Sequence, residues 1–459
     1  MSARPAKRAR TGSHTISPTA AMIDYLEAHG ARFGPTLCFR ASQPGAGVGG
    51  FAARDIHRGE TVCAIPLRLA ITSTEARIWW YRHDGEDKDA GAQAAEPSFI
   101  DDEFLLCMYL IAARRKMASV PPAACLYAAA LSCVAPDTCS WDAASRGILR
   151  GSVAKATAIA RDEAVQWVSY CQSLWLTELG KHKREKVGHV PSFEDILWAR
   201  GHCKSRRFPE NLVEARGDAT GRRHAVRYSL LPGLDLLNHS NDPGTMEWVT
   251  DWEKQVLEFR ALTDVAKGSE VFNHYGPKSN TSLLFNHGFA LENNPNDVYE
   301  ARLMGAKAAK VTEGDERNQS PPTPVVMWEG KFRGSEEHLP TGLLEQFAEE
   351  IEHGQEGEDA AGSSSTPQLY VSTEALEFLL SWLGALVRGL AKSVVDDGGG
   401  IEDDGCGAAQ GGGDKEEEEE ENDAAVLRRT WIGHYEDGQR RVLQHIQGLI
   451  QFLLETKKY

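Results

Sequence analysis

The sequence predicts an α+β fold in which a β-rich region is interrupted by a long helical stretch and followed by an all-α C-terminal region. Three observations predict it. Short strand-and-turn segments occupy residues 45–66 and return after Leu230. Between them, Phe99 to Arg200 has helical texture. After Asp297 the pattern becomes mostly helical.

Taken in order, Ala21 to Gly30 has helical apolar spacing with a glycine stop. The run Gly45-Ala-Gly47-Val-Gly49-Gly50 leads into the strand-like Phe51-Ala-Ala, and Thr61 to Ile65 reads as a short strand ended by Pro66. Arg82 to Glu96 is a loop of low hydrophobicity. Phe104 to Ile111 is a candidate buried helix, and Ala154 to Leu176 repeats apolar residues at three and four. Met246-Glu-Trp-Val and Val256-Leu-Glu-Phe pair as a hairpin, with Glu270-Val-Phe a third strand. Asn280 to Phe289 reads as a short helix with a glycine stop, and Asn293 to Asp297 as a turn. Ala375 to Ala391 is amphipathic, and Val442, Ile446, Leu449, Ile450 and Leu453 form one apolar stripe. Two segments, near 354–368 and 396–425, are rich in glycine and acid and are expected to be disordered. The chain therefore divides into a disordered basic N-terminus (1–19), the first part of the β-rich domain (20–90), its helical insertion (91–200), the closing part of that domain (201–299) and a helical domain (300–459).

With 459 residues the chain can bury a core without metal or disulfide staples. A net charge of −16 argues against nonspecific nucleic-acid binding, although Glu416 to Glu421 account for part of it. The nine cysteines are scattered, with no C-x-x-C pair and no zinc spacing, which fits reduced thiols and no metal site. No apolar run is long enough to span a bilayer. The expectation is a monomer in the nucleus or cytoplasm, since Arg4 to Arg10 is either a nuclear address or a solvated terminus; a plastid address is left open.

Three motifs could carry chemistry. Gly45 to Gly50 lets backbone approach a ligand, but it lacks a P-loop lysine and is followed by a strand, so it is not a phosphate loop. Asn238-His239 follows an apolar run and suits recognition of an adenine edge and an amino-acid head group. Tyr275-Gly276 ends a strand and can present a hydroxyl to a pocket at a sharp turn. Each alone also fits an ordinary turn or a satisfied core residue.

Their order changes the reading. Gly47-x-Gly49 with Phe51-Ala52 and Asp55-Ile56 come first, then Trp198-Ala199, Ser205-Arg206 and Phe208. Pro232, Asp235, Asn238-His239, Tyr275-Gly276, Ser279-Asn280 and Gly288-Phe289 follow. This pattern resembles the Rubisco large-subunit lysine methyltransferase-like branch of SET-domain proteins, over most of the chain and most strongly over 198–297. The resemblance implies a β-rich SET domain with a helical insertion and a C-terminal domain like the Rubisco methyltransferase substrate-binding domain. It implies S-adenosylmethionine as cofactor and a protein bearing a target lysine as partner. It places Gly47, Val48, Gly49, Arg206, Asp235, Asn238, His239, Gly288 and Phe289 on the cofactor, makes Tyr275 catalytic as well as cofactor-contacting, and sets Phe208, Asn273 and His274 in the substrate channel.

The chain departs from that branch at Ala46, at Gly50 and at Asn273-His274, the last two bearing on the acceptor channel. A sister branch methylates histidine and carries an asparagine in place of Phe208, which favours lysine here. Histidine methylation, with Asn273 or His274 substituting for that asparagine, and a catalytically weak interaction scaffold are the competing expectations.

Overall fold

The computed structural model describes residues 17–42, 47–81, 100–213, 228–242, 245–306, 324–335, 339–340, 343, 348–349, 370–371, 373–396 and 415–456. The chain forms two compact units, one of Met1–Asp142 with Thr157–Gly276, the other of Ala143–Ala156 with Pro277–Tyr459. The second unit thus begins at Pro277 and also takes a short piece of the helical insertion.

Helix α1, Pro18–Ala28, opens the first unit. Its cap is Ser17, whose hydroxyl accepts from the Ala20 N–H, and Pro18 fits the first helical turn. The helix therefore begins slightly before the expected boundary, and residues 1–16 of the expected disordered terminus lie outside the described residues. Strands β1 (Leu37–Ala41) and β2 (Val48–Ala52) are antiparallel, with Leu37 opposite Ala52 and Ala41 opposite Val48. Gly45 and Ala46 lie outside the described residues. Strands β3 (Thr61–Pro66) and β4 (Ile71–Thr72) lead into helix α2 (Ser73–Tyr81). The expected loop 82–96 is also outside the described residues.

The insertion is helical as expected: α3 (Asp102–Arg114), α4 (Pro122–Ala130), α5 (Ala143–Gly147), α6 (Gly151–Trp175), α7 (Glu178–Val187) and α8 (Phe193–Arg206). Asp101 caps α3, which is buried from Phe104 through Ala113 and packs on α4 and α8. Helix α8 starts with a reciprocal capping box of Ser192 and Asp195 and ends at Arg206, where the chain turns directly into strand β5, Arg207–Pro209.

Strand β6 (Tyr228–Leu230) lies between β4 and β5, placing Phe208 opposite Ser229. Strands β7 (Met246–Asp251) and β8 (Val256–Ala261) are the expected hairpin, completed by β3 in the order β3-β8-β7. Strand β9 (Glu270–Val271) does not extend that hairpin. It pairs with β2, putting Gly50 opposite Val271.

In the second unit, α9 (Asn280–His287) is capped by Ser279 and closed by Gly288 in the left-handed region. Strands β10 (Val298–Ala306) and β11 (Pro324–Arg333) form a long antiparallel hairpin, and β12 (Ala348–Glu349) pairs with β13 (Tyr370–Val371). This region is helical in its core but carries strand pairs absent from the sequence reading. Helices α10 (Thr373–Asp396) and α11 (Lys415–Thr456) bury Leu376, Leu379 and Leu383 against Val442, Leu443, Ile446 and Ile450, with Leu449 and Leu453 partly buried at the edge. That confirms the apolar stripe. Of the two segments expected to be disordered, 354–368 and 397–414 lie outside the described residues. Lys415 to Ala425 instead form the start of α11. Glutamate is a good helix former, and six of them near a helix N-terminus complement its dipole.

Candidate active site

The two motif segments come together in the first unit. His239 and Asn273 form a parallel bridge. The Asn273 N–H donates to the Asn238 carbonyl at 2.8 Å and the Ser240 N–H to the Asn273 carbonyl at 3.0 Å. The Tyr275 N–H donates to His239 Nδ1 at 3.1 Å, so the imidazole carries its proton on Nε2, 3.2 Å from Asn241 Oδ1. The rings of His239 and Tyr275 stack, with centroids 4.9 Å apart. Held this way, the Tyr275 hydroxyl donates to the Leu237 carbonyl at 2.9 Å. Gly276, at φ +96°, turns the chain directly after it.

Asn238 faces β2 and β9. Its Nδ2 donates to Glu270 Oε1 at 2.7 Å, and the Ser42 hydroxyl lies 2.9 Å from both Glu270 oxygens. The close approach requires the glycines of β2. A Cβ on Gly49 would stand 2.3 Å from Glu270 Oε1, and one on Gly50 would stand 2.3 Å from Leu237 Cδ2. The departure at Gly50 is therefore matched by Leu237, which occupies the space an apolar side chain would need.

A buried charge pair sits beside these segments. Arg206 Nη1 donates to the Asp235 carbonyl at 2.9 Å and lies 3.4 Å from Asp235 Oδ2. The Tyr127 hydroxyl donates to the same Oδ2 at 2.6 Å. Burial pushes the Asp235 carboxyl above its ordinary range, while Arg206 and Tyr127 pull it down. Burial also weakens the Arg206 charge, but Asp235, Tyr127 and Tyr275 together more than offset this and the guanidinium is raised. Arg206 Nε and Asp235 Oδ1 are buried with no protein partner. Burial pushes Tyr275 up to about 12, with Arg206 opposing and Asp235 and Glu270 adding to it. The phenol is neutral at physiological pH.

Phe208, 6 % exposed, meets Trp248 edge to face at 5.1 Å, and Trp248 Nε1 donates to Asn273 Oδ1 at 3.1 Å. These three form a wall with one amide in it. The His274 ring tilts against His239 at 5.6 Å, and burial lowers its pKa. Gly47 stands just before β2, at φ +70°, and Val48 is the first residue of that strand.

Tyr275, Gly49, Arg206, Asp235, Asn238, His239, Phe208, Asn273 and His274 are thus joined through contacts within one unit. Gly288 and Phe289 belong to the second unit, where Gly288 closes α9 and the Phe289 ring lies 6.1 Å from His287. Glu270, Tyr127 and Trp248 are contributors that the sequence reading did not assign to the site. Glu270 at the head of a strand reads as solvent-facing, and Tyr127 lies 108 residues before Asp235.

The SET domain family matches residues 47–276. The chain belongs to that family. A ribosomal lysine N-methyltransferase, set10 of Schizosaccharomyces pombe, is 34% identical over 113 residues, covering 24% of this chain and 19% of the relative. The actin-histidine N-methyltransferase of Danio rerio is 28% identical over 120 residues, covering 26% of this chain and 18% of the relative. The matched part of the chain thus spans about a fifth of these relatives. A crystal structure of the SET domain of LSMT bound to lysine and AdoHcy aligns over 95% of this chain and 91% of that one, with a TM-score of 0.59 and 18% identity, and shares its fold. Among the described residues no helix is long and apolar enough to cross a membrane.

Proposed function

We propose that this protein is an S-adenosylmethionine-dependent protein-lysine N-methyltransferase. The observation that carries the reading is the Tyr275 hydroxyl fixed on the Leu237 carbonyl at the crossing of the two motif segments. The residues fit the cofactor: a buried guanidinium nitrogen without a protein partner suits a carboxylate. S-adenosylmethionine supplies an activated methyl group when bound.

The chain has three tasks: to present a neutral amine, align it and exclude water. An amine entering beside Phe208 and Trp248 loses solvation, which lowers its pKa and favours the nucleophilic form. The Tyr275 proton is committed to Leu237, so toward an amine N–H the phenol oxygen acts as an acceptor. That contact orients the nitrogen lone pair. With a pKa near 12 the phenol aligns rather than removes a proton.

Lysine is favoured because Phe208 offers no hydrogen bond to an imidazole, and Asn273 Oδ1 already accepts from Trp248. The similarity to actin-histidine methyltransferases supports a second reading, with Asn273 Nδ2 as the imidazole's partner. The two are separated by labelled methyl transfer into a cell-extract protein pool, followed by mass spectrometry of the modified residue. Product found on histidine alone would overturn the lysine reading, and no labelled product at all would favour an interaction scaffold. A protein partner is part of the proposal in every case.

A further inference from the structure

The Arg206–Asp235 pair has an unusual geometry for a buried guanidinium and carboxylate. Such pairs commonly form two parallel hydrogen bonds. Here Arg206 Nη1 is anchored on the Asp235 main-chain carbonyl at 2.9 Å and sits at 3.4 Å from Oδ2. Arg206 Nε and Asp235 Oδ1 are both buried, both without a protein partner, and opposite in character. Left to themselves they would close on one another, because each unpaired buried group is costly. What holds Asp235 back is Tyr127 on α4, itself 1% exposed, whose hydroxyl grips Oδ2 at 2.6 Å.

We propose that Tyr127 is a positioning residue: by holding the Asp235 carboxylate it keeps the Nε edge of Arg206 free for the carboxylate of the amino-acid part of S-adenosylmethionine. The inference rests on the cofactor reading given above. It ties the helical insertion to the cofactor site, since α4 packs on α1 and α3 and carries Tyr127 into the charge pair. Removing the hydroxyl releases Asp235 to fork with Arg206, which consumes the edge that the cofactor needs. Tyr127 acts through Asp235, so its loss falls on binding and not on the chemical step.

The test is Tyr127→Phe, which keeps the ring and its packing. Calorimetry with S-adenosylhomocysteine and with 5′-methylthioadenosine, which lacks the amino-acid part, separates positioning from general structure. The expected result is a loss of about ten-fold in affinity for S-adenosylhomocysteine with 5′-methylthioadenosine unchanged. The KM for S-adenosylmethionine should rise in parallel, while kcat at saturation stays within about two-fold. Equal losses for both ligands would reduce Tyr127 to a packing residue and overturn the inference. Unaltered S-adenosylhomocysteine binding in Tyr127→Phe, with a wild type that binds it, overturns the inference alone. A wild type that binds neither ligand overturns the cofactor reading and the inference together.

Discussion

The Tyr275 hydroxyl is spent on the Leu237 carbonyl, 2.9 Å away, and this one hydrogen bond fixes the chemical character of the residue. A phenol whose proton is engaged and whose pKa is pushed up to about 12 by burial is an acceptor throughout the physiological range. Tyr275→Phe removes the acceptor and keeps the stacking with His239. Cofactor affinity should stay near normal while kcat falls about a hundred-fold or more, because the loss is one of alignment in the transition state. Single-turnover methyl transfer beside a binding titration checks this, and full activity in the variant removes Tyr275 from the mechanism.

Asn238 is aimed by Glu270, which also engages Ser42. Asn238→Ala should weaken S-adenosylmethionine binding by about five- to a hundred-fold, the cost of removing a partner from a buried polar group. Glu270→Ala should weaken it by a smaller factor, since the amide remains but its orientation is lost. Calorimetry on both folded variants measures the order. If Glu270→Ala proves neutral, Asn238 is oriented by something else.

The parts of this site that were legible in the sequence are those encoded within a few residues. Asn238-His239 and Tyr275-Gly276 each form a compact motif, and the glycine stop after α9 and the β7–β8 hairpin are likewise local. Tyr127 and Asp235 meet only through the packing of the insertion, and no spacing announces a contact made over 108 residues. The β10–β11 hairpin is hidden in the sequence for a different reason. Val298 to Ala306 contains Glu, Ala, Arg, Leu and Met, all good helix formers, and its strand state comes from pairing with residues 324–333. The glutamates of α11 go the opposite way: their low hydrophobicity suggests disorder, while their helix propensity favours the helix that forms.

The aromatic wall makes a specificity prediction. Phe208 is buried edge to face on Trp248. Phe208→Asn puts an amide into that wall and leaves a cavity, so lysine methylation should fall and histidine methylation gain relative to it. The same change should lower stability by about 3 kcal/mol, as large-to-small substitutions in packed sites do. Mass spectrometry of the products and denaturant unfolding read the two effects separately. An unchanged ratio of lysine to histidine product would show that Phe208 does not set acceptor choice.

The second unit carries a pH-sensitive carboxylate. Asp297 accepts from the Asn280 N–H at 2.7 Å and from Asn280 Nδ2 at 3.2 Å, and Arg441 Nη2 lies 3.6 Å away. Burial nevertheless pushes its pKa from 3.8 up to about 6, so burial outweighs these partners. The folded chain holds the proton up to that pH, whereas the unfolded chain releases it near the ordinary value. Between the two the folded state binds more protons, and this residue's contribution to stability falls as pH rises, by up to about 3 kcal/mol, and is level above the window. Asp297→Asn cannot titrate. The stability of the wild type minus that of the variant should therefore drop between about pH 4 and about pH 6 and stay constant beyond. Denaturant unfolding of both proteins across that range measures the difference, in which the other titrating groups cancel. Parallel curves would mean that Asp297 ionises in the fold as it does in water.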